Sequence, residues 1–315
     1  MDISSVCIVG GSGFVGRAIA DHLSTEGTRV RVITRRRMRA MPLTVLPTVE
    51  VVVADPHDTA SLARCFDGMD AVVNLVGILH ERGRETFERC HVELPRKVAE
   101  ACHCAGVQHL LHMSALGASE NGPSKYQRSK AAGEQAMRRA AEGMPVTVFR
   151  PSIIFGEGDD FLNQFDRLLR VLPVITLPGA HARLQPIWVE DVARCFVDAL
   201  GNSRAFGQVY EICGPGQYTL EELVRFVAKA TGRRRPIIPL RGFLASLQAT
   251  ALEFLPGKMM TRDNLASLSV DNICSQPFPA VFGFKPSAME VVVPEYLAPA
   301  TARARYPQFR HGAGR

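Results

Sequence analysis

The chain has 315 residues, 46% hydrophobic and 22% charged, which excludes a disordered polymer and leaves room for one large domain or a domain with an appended lobe. Its formal net charge is +6, with 37 basic residues of which only six are lysine; the balance permits an anionic surface as partner, but no basic-aromatic pattern points to nucleic acid. No run of about 18 apolar residues marks a membrane span, and no secretory signal is evident, so a cytoplasmic protein with reduced thiols is expected.

The first element is the apolar run Val6-Cys7-Ile8-Val9. Gly10-Gly11-Ser12-Gly13-Phe14-Val15-Gly16 follows, and then a helical pattern over about Arg17–Ser24. Strand, glycine turn and helix together place a pyrophosphate on a helix N-terminus, and the three-residue spacing of Gly10, Gly13 and Gly16 gives the form GxxGxxG. Ser12, Phe14 and Val15 belong to the same turn and join the glycines as cofactor-binding candidates.

Further strands are predicted at Arg29–Thr34, Val49–Ala54, Ala71–Val76, His109–Met113 and Val146–Phe149. Helical patterns lie between them at Ser61–Phe66, Phe87–Ala105 and Lys125–Ala141. Near-continuous apolar strands alternating with amphipathic helices predict an α/β protein, a Rossmann doubly wound parallel sheet covered on both faces. After Arg150, prolines and glycines punctuate the chain. Helices are predicted near Phe161–Leu172, Val189–Leu200 and Leu220–Thr231, with a strand at Gln208–Cys213. The division expected is a nucleotide-binding domain over 1–150, interleaved sheet elements and a small C-terminal substrate lobe over 151–300, and a mobile arginine-rich tail over 301–315.

The second strand runs into Arg35-Arg36-Arg37, with no acid at its tip to hold a ribose 2′-hydroxyl. Arginine there suits a 2′-phosphate, and Arg35 and Arg36 are nearest the tip; NADP(H) is favoured, NAD(H) is the alternative, and a solvated charge run is the bland reading. Asp55, ending the third strand, is a candidate for the adenine amino group or a simple turn former. Asn74, Val76 and Gly77 end the fourth, where glycine lets backbone approach the ribose and nicotinamide.

Tyr126-Gln127-Arg128-Ser129-Lys130 is a YxxxK at the start of a helix, so Tyr126 and Lys130 share a face. Lys130 is expected to lower the Tyr126 phenol pKa, tuning it to exchange a proton with a carbonyl or hydroxyl while hydride moves. Ser114 is placed to hydrogen-bond the same oxygen. The cluster Cys102-His103-Cys104 has no second cluster to complete a zinc site, and no metal is expected. Phe155–Asp160 reads as a flexible acidic loop at the mouth of the site. Arg150 and Arg183 would suit a sugar-nucleotide diphosphate or form ion pairs.

GxxGxxG, Asn74-x-x-Gly77, Ser114, the YxxxK, Arg150-Pro151-Ser152 and Gln185–Ala193 together resemble an extended short-chain dehydrogenase/reductase over about residues 4–215, a superfamily that includes nucleotide-sugar epimerases and dehydratases. The resemblance implies catalytic roles for Tyr126, Lys130 and Ser114, with Tyr126, Lys130, Pro151 and Ile153 also on the cofactor. Ala115 stands where the epimerases carry a second hydroxyl residue, which counts against epimerisation.

More narrowly, Asn74–Leu79, His112–Ala118 and Thr261–Asn264 resemble the atypical branch of an NADPH-binding accessory subunit of respiratory complex I. That branch implies a nucleotide held without turnover, a respiratory-complex partner or a quinone-like ligand, and a place at the inner membrane. The apolar stripe Phe243-Leu244-Leu247-Ala251-Leu252-Phe254-Leu255, flanked by Arg241, Lys258 and Arg262, reads either as a helix packed on the lobe or as a surface for membrane, quinone-like ligand or partner.

Overall fold

The computed structural model describes residues 2–240, 242–253 and 260–297. Arg241, Phe254, Leu255, Lys258 and the tail expected over 301–315 lie outside them.

The first half alternates as its sequence predicts. The chain runs β1 (Ser5–Val9), α1 (Phe14–Thr25), β2 (Arg29–Thr34), β3 (Val49–Val53), α2 (Thr59–Phe66) and β4 (Ala71–Asn74). It continues through a π-helical segment (Glu88–Glu93), α3 (Leu94–Ala105), β5 (His109–Met113), α4 (Lys125–Ala140) and β6 (Val146–Pro151). Then come β7 (Ile154–Phe155), α5 (Phe161–Val171), β8 (Ile175–Pro178), β9 (Arg183–Leu184), β10 (Ile187–Trp188) and α6 (Val189–Ala199). The last elements are β11 (Val209–Ile212), β12 (Tyr218–Thr219), α7 (Leu220–Ala230), β13 (Ile237–Leu240), α8 (Gly242–Glu253), α9 (Arg262–Ser267) and α10 (Met289–Leu297).

Seven strands form one parallel sheet in the order β3-β2-β1-β4-β5-β6-β11. The order reverses between β1 and β4, with Val9 beside Asn74. In such a sheet the crevice outside the carboxyl ends at that reversal is where ligands sit. β1 is buried along its whole length, the consequence of helices on both faces. On one face Val6, Ile8, Val32 and Val73 pack with Ile19 and Leu23 of α1 and Val192 and Phe196 of α6. On the other Cys7, Val9, Val72 and Leu110 pack with Leu62, Phe66, Val98 and Met137.

A third core belongs to the later elements: Phe155, Leu162, Leu169, Leu177, Leu223, Val227 and Val293. Trp188, the only tryptophan in the chain, packs against both this core and the α1–α6 side of the sheet.

One expectation about the cysteines fails. Cys213, just past β11, is disulfide-bonded to Cys274, with Cα atoms 6.0 Å apart and a sequence separation of 61. Neither thiol has a neighbouring cysteine in sequence, so their meeting is a product of the fold alone. Cys102-His103-Cys104 lies at the end of α3, with Cys102 buried and Cys104 exposed.

Candidate active site

The glycine turn closes onto the crevice. Gly10 has φ of +83°, a left-handed conformation that disfavours side chains, and a Cβ there would stand 3.1 Å from Val76 Cγ2. Gly16 lets α1 lie against the turn, since its Cβ would fall 2.5 Å from Gly11 Cα. Gly13 is the α1 N-cap; no side chain caps that end and no acid stands in its first turn. Phe14 and Val15 begin the helix, Val15 buried. A helix opening with free amides and no competing carboxylate suits a phosphate.

Ser12 Oγ meets Thr34 Oγ1 at 2.9 Å, and Thr34 Oγ1 in turn accepts the Arg36 N–H at 3.2 Å. The backbone at Arg36 is thereby tied to the glycine turn. Arg35 pairs with Glu85, which is fifty residues away in sequence. Asp55 Oδ1 accepts the His57 N–H at 3.0 Å, so the turn reading of this residue holds and one oxygen is spent locally. Asn74 is fully buried; its Oδ1 accepts the Val76 N–H and its Nδ2 donates to His112 Nδ1. These bonds fix the backbone of the Asn74–Gly77 turn rather than offer the amide to a ligand.

The YxxxK helix is anchored at the opposite side of the crevice. Ser124 and Gln127 form a reciprocal capping box at its start. Asp263 of α9 also accepts the backbone N–H of Lys125 at 2.6 Å and of Tyr126 at 3.1 Å. Lys130 is buried and donates from Nζ to the Met113 carbonyl at 2.9 Å, tying α4 to the end of β5. A Cβ on Gly77 would lie 3.7 Å from Lys130 Nζ and 3.7 Å from His91 Nε2, so the β4 turn, α4 and the π-helical segment converge. Ser114, next after Met113, is 4% exposed, and its hydroxyl oxygen is buried without a hydrogen-bond partner. Buried polar atoms are rarely left so. Pro151 is buried at the end of β6 and Ile153, two positions further on, is half-buried.

The Tyr126 phenol departs from expectation. Burial pushes it up to about 12, and Lys130 does not pull it down. The ammonium is engaged by the Met113 carbonyl, and burial lowers its own pKa to about 8. Tyr126 therefore stands as a protonated donor at neutral pH.

His91 was not singled out by the sequence. Its Nε2 accepts the Ile78 N–H at 3.0 Å, which leaves the proton on Nδ1 to donate to Ser129 Oγ at 2.8 Å; Ser129 Oγ donates on to the Tyr126 carbonyl. Its ring lies 5.5 Å from that of Tyr126, edge to face, and stacks on Phe87 at 5.2 Å. The i, i+4 spacing of Phe87 and His91 was the available signal. His57, Glu85 and Cys90 bring ligand atoms within 4.8 Å of one another, the one such trio among the described residues.

The residues offered for a sugar-nucleotide diphosphate are occupied. Arg150 grips Glu134 through Nε and Nη2, and Arg183 pairs with Asp271. The acidic loop is not open either: Asp159 is buried, accepts the N–H groups of Gly156, Leu162 and Asn163, and meets the Tyr296 hydroxyl. The uncapped α1, the arginines at β2 and the orphaned Ser114 hydroxyl together fit a pyridine dinucleotide laid across the sheet.

That architecture defines a doubly wound nucleotide-binding protein. The chain belongs to the NAD dependent epimerase/dehydratase family, whose profile matches residues 6–213. It is 30% identical over 299 residues, 92% of this chain and 78% of the relative, to NADH dehydrogenase [ubiquinone] 1 alpha subcomplex subunit 9, mitochondrial, of Mus musculus. It is 32% identical over 240 residues, 75% of this chain and 73% of the relative, to the ceramide reductase of Caulobacter vibrioides. Its fold is similar to that of the Citrobacter sp. triphenylmethane reductase complexed with NADP(H), with a TM-score of 0.74 at 17% identity over 92% of this chain and 98% of the other.

Proposed function

We propose that the chain is a pyridine-nucleotide-dependent reductase that favours NADP(H) over NAD(H) and acts on the carbonyl of an apolar or quinone-like substrate. The observation that carries this reading is the unpartnered, buried Ser114 hydroxyl beside the Met113 carbonyl that Lys130 grips. A bound nicotinamide supplies the hydride. Tyr126 gives its phenolic proton to the substrate oxygen, Ser114 donates a hydrogen bond to that oxygen, and Lys130 positions both by holding α4 against β5. A phenol kept near 12 is protonated at neutral pH, the form that can give its proton to a carbonyl oxygen. An apolar substrate is supported by an open cavity of about 360 Å3 beside α9, walled largely by Ala182, Leu240, Ala245, Leu265 and Leu268, with His181 and Ser269 also on its lining. Occupied Arg150 and Arg183 speak against a sugar nucleotide.

Reduced-nucleotide consumption with a panel of apolar ketones and quinones tests the reading. Tyr126→Phe is expected to slow turnover by about 100-fold or more, with NADPH affinity altered only a few-fold. Undiminished turnover in that variant overturns the mechanism.

A second reading is a nucleotide-holding subunit or assembly factor at an inner-membrane respiratory or quinone system. The exposed apolar side chains of α8, Phe243, Leu244 and Leu247, favour it, as do the relatives named as complex I subunits.

A further inference from the structure

The tip of β2 lacks the acid that an NAD-selective Rossmann site places there, yet a carboxylate reaches that tip from elsewhere. Glu85 lies between β4 and the π-helical segment, and one of its oxygens takes the Arg35 guanidinium. Its other oxygen accepts the Cys90 Sγ–H at 3.2 Å. The stretch that carries it is braced: Arg82 and Glu85 exchange two backbone hydrogen bonds of 2.9 and 3.0 Å, and Glu81 accepts the Phe87 N–H at 2.8 Å. Burial opposes ionisation of Glu85, but the bonds from Arg35 and Cys90 outweigh it and hold the carboxyl below its ordinary range. The group is therefore a fixed anion, set against the arginine expected to read the nucleotide.

Resting on the dinucleotide reading above, we propose that Glu85 sets the choice between NAD(H) and NADP(H). A ribose 2′-hydroxyl donates a hydrogen bond to a carboxylate, whereas a 2′-phosphate repels it and competes with it for Arg35. A phosphate entering the site must take Arg35 from Glu85, and it leaves behind a carboxylate with one partner fewer. Arg36, its backbone fixed through Thr34 to Ser12 of the glycine turn, faces no such exchange. Glu85 thus tempers the preference that three consecutive arginines would otherwise impose.

Calorimetry of the full chain with NADPH, NADH, adenosine 2′,5′-bisphosphate and ADP tests this without turnover. Glu85→Gln is expected to raise the affinity ratio of bisphosphate to ADP by about tenfold, the scale of one charge-assisted bond, and Arg35→Ala to lower it. If Glu85→Gln does not fold, Arg35→Ala reads the same pair from its exposed side. A ratio unmoved in the folded variants overturns the role of Glu85 while leaving dinucleotide binding intact. A native protein that binds none of the four overturns the dinucleotide reading itself, and this role with it.

Discussion

Three histidines near the sheet are folded away uncharged. Burial lowers His91 to about 3 and His109 to about 4, and it drives His112 well below its ordinary value, with Lys130 adding to the effect at His91 and His112. Each still has a hydrogen-bonding partner: Ile78 and Ser129 for His91, Thr147 for His109, and Asn74 for His112. In the unfolded chain a histidine takes up its proton near pH 6.5, whereas these refuse it until far lower. Between those limits the unfolded state binds more protons, so stability is full above about pH 6.5 and falls as the pH drops. The slope is about 1.4 kcal/mol per pH unit for each proton. Urea denaturation midpoints are expected to decline from pH 7 to pH 5, above the carboxylate range, and His109→Gln is expected to remove about one proton from that slope. A flat midpoint over this interval contradicts the burial of neutral imidazoles.

At the scale of elements, α4 carries the site and is held from three sides. Its start is held by Ser124, Gln127 and Asp263, and Lys130 anchors it to β5. Its middle presses on the π-helical segment at Gly133, where a Cβ would fall 1.7 Å from the His91 carbonyl oxygen. Backbone cannot yield there as a flexible side chain can. Gly133→Ala is therefore expected to cost about 3 kcal/mol or more, read as a lowered urea midpoint, and to separate His91 from Ser129.

The strands of the central sheet and α4 were legible because their signals are local: apolar runs where both faces are covered, and a helical pattern over Lys125–Ala141. The pattern over Phe87–Ala105 read as one helix, because side-chain periodicity does not register the shift in hydrogen bonding that makes Glu88–Glu93 π-helical. Asp159 looked like part of a solvated loop, because nothing in the sequence tells that three amides converge on it.

Across the whole molecule, the contacts that sequence could not show are the long-range ones. Arg35 with Glu85, Asp263 with the start of α4, and Cys213 with Cys274 each join segments far apart in the chain, brought together only when β4, α9 and β11 are in place. The later elements leave a greasy exterior. Phe243 is 77% exposed, with Leu244, Leu247, Ile238, Val171 and Val174 also open. These belong to neighbouring elements: β13 pairs with β8, and Gln248 of α8 donates to Thr176 of β8 at 2.8 Å. Arg233-Arg234-Arg235 leads into β13. Apolar side chains beside a basic run suit the surface of an anionic bilayer, and no helix among the described residues is long and apolar enough to cross one. Under the membrane-associated reading, the native chain is expected to sediment with vesicles containing anionic phospholipid, and less so as salt rises. Phe243→Ser, Leu244→Ser and Leu247→Ser combined should leave it in the supernatant with its thermal midpoint little changed, since these side chains make little use of the core. A native chain that stays wholly in the supernatant at low salt counts against membrane association. The reductase reading would still stand, because Tyr126, Lys130 and Ser114 are held by β5, α4 and α9 and not by that outer face.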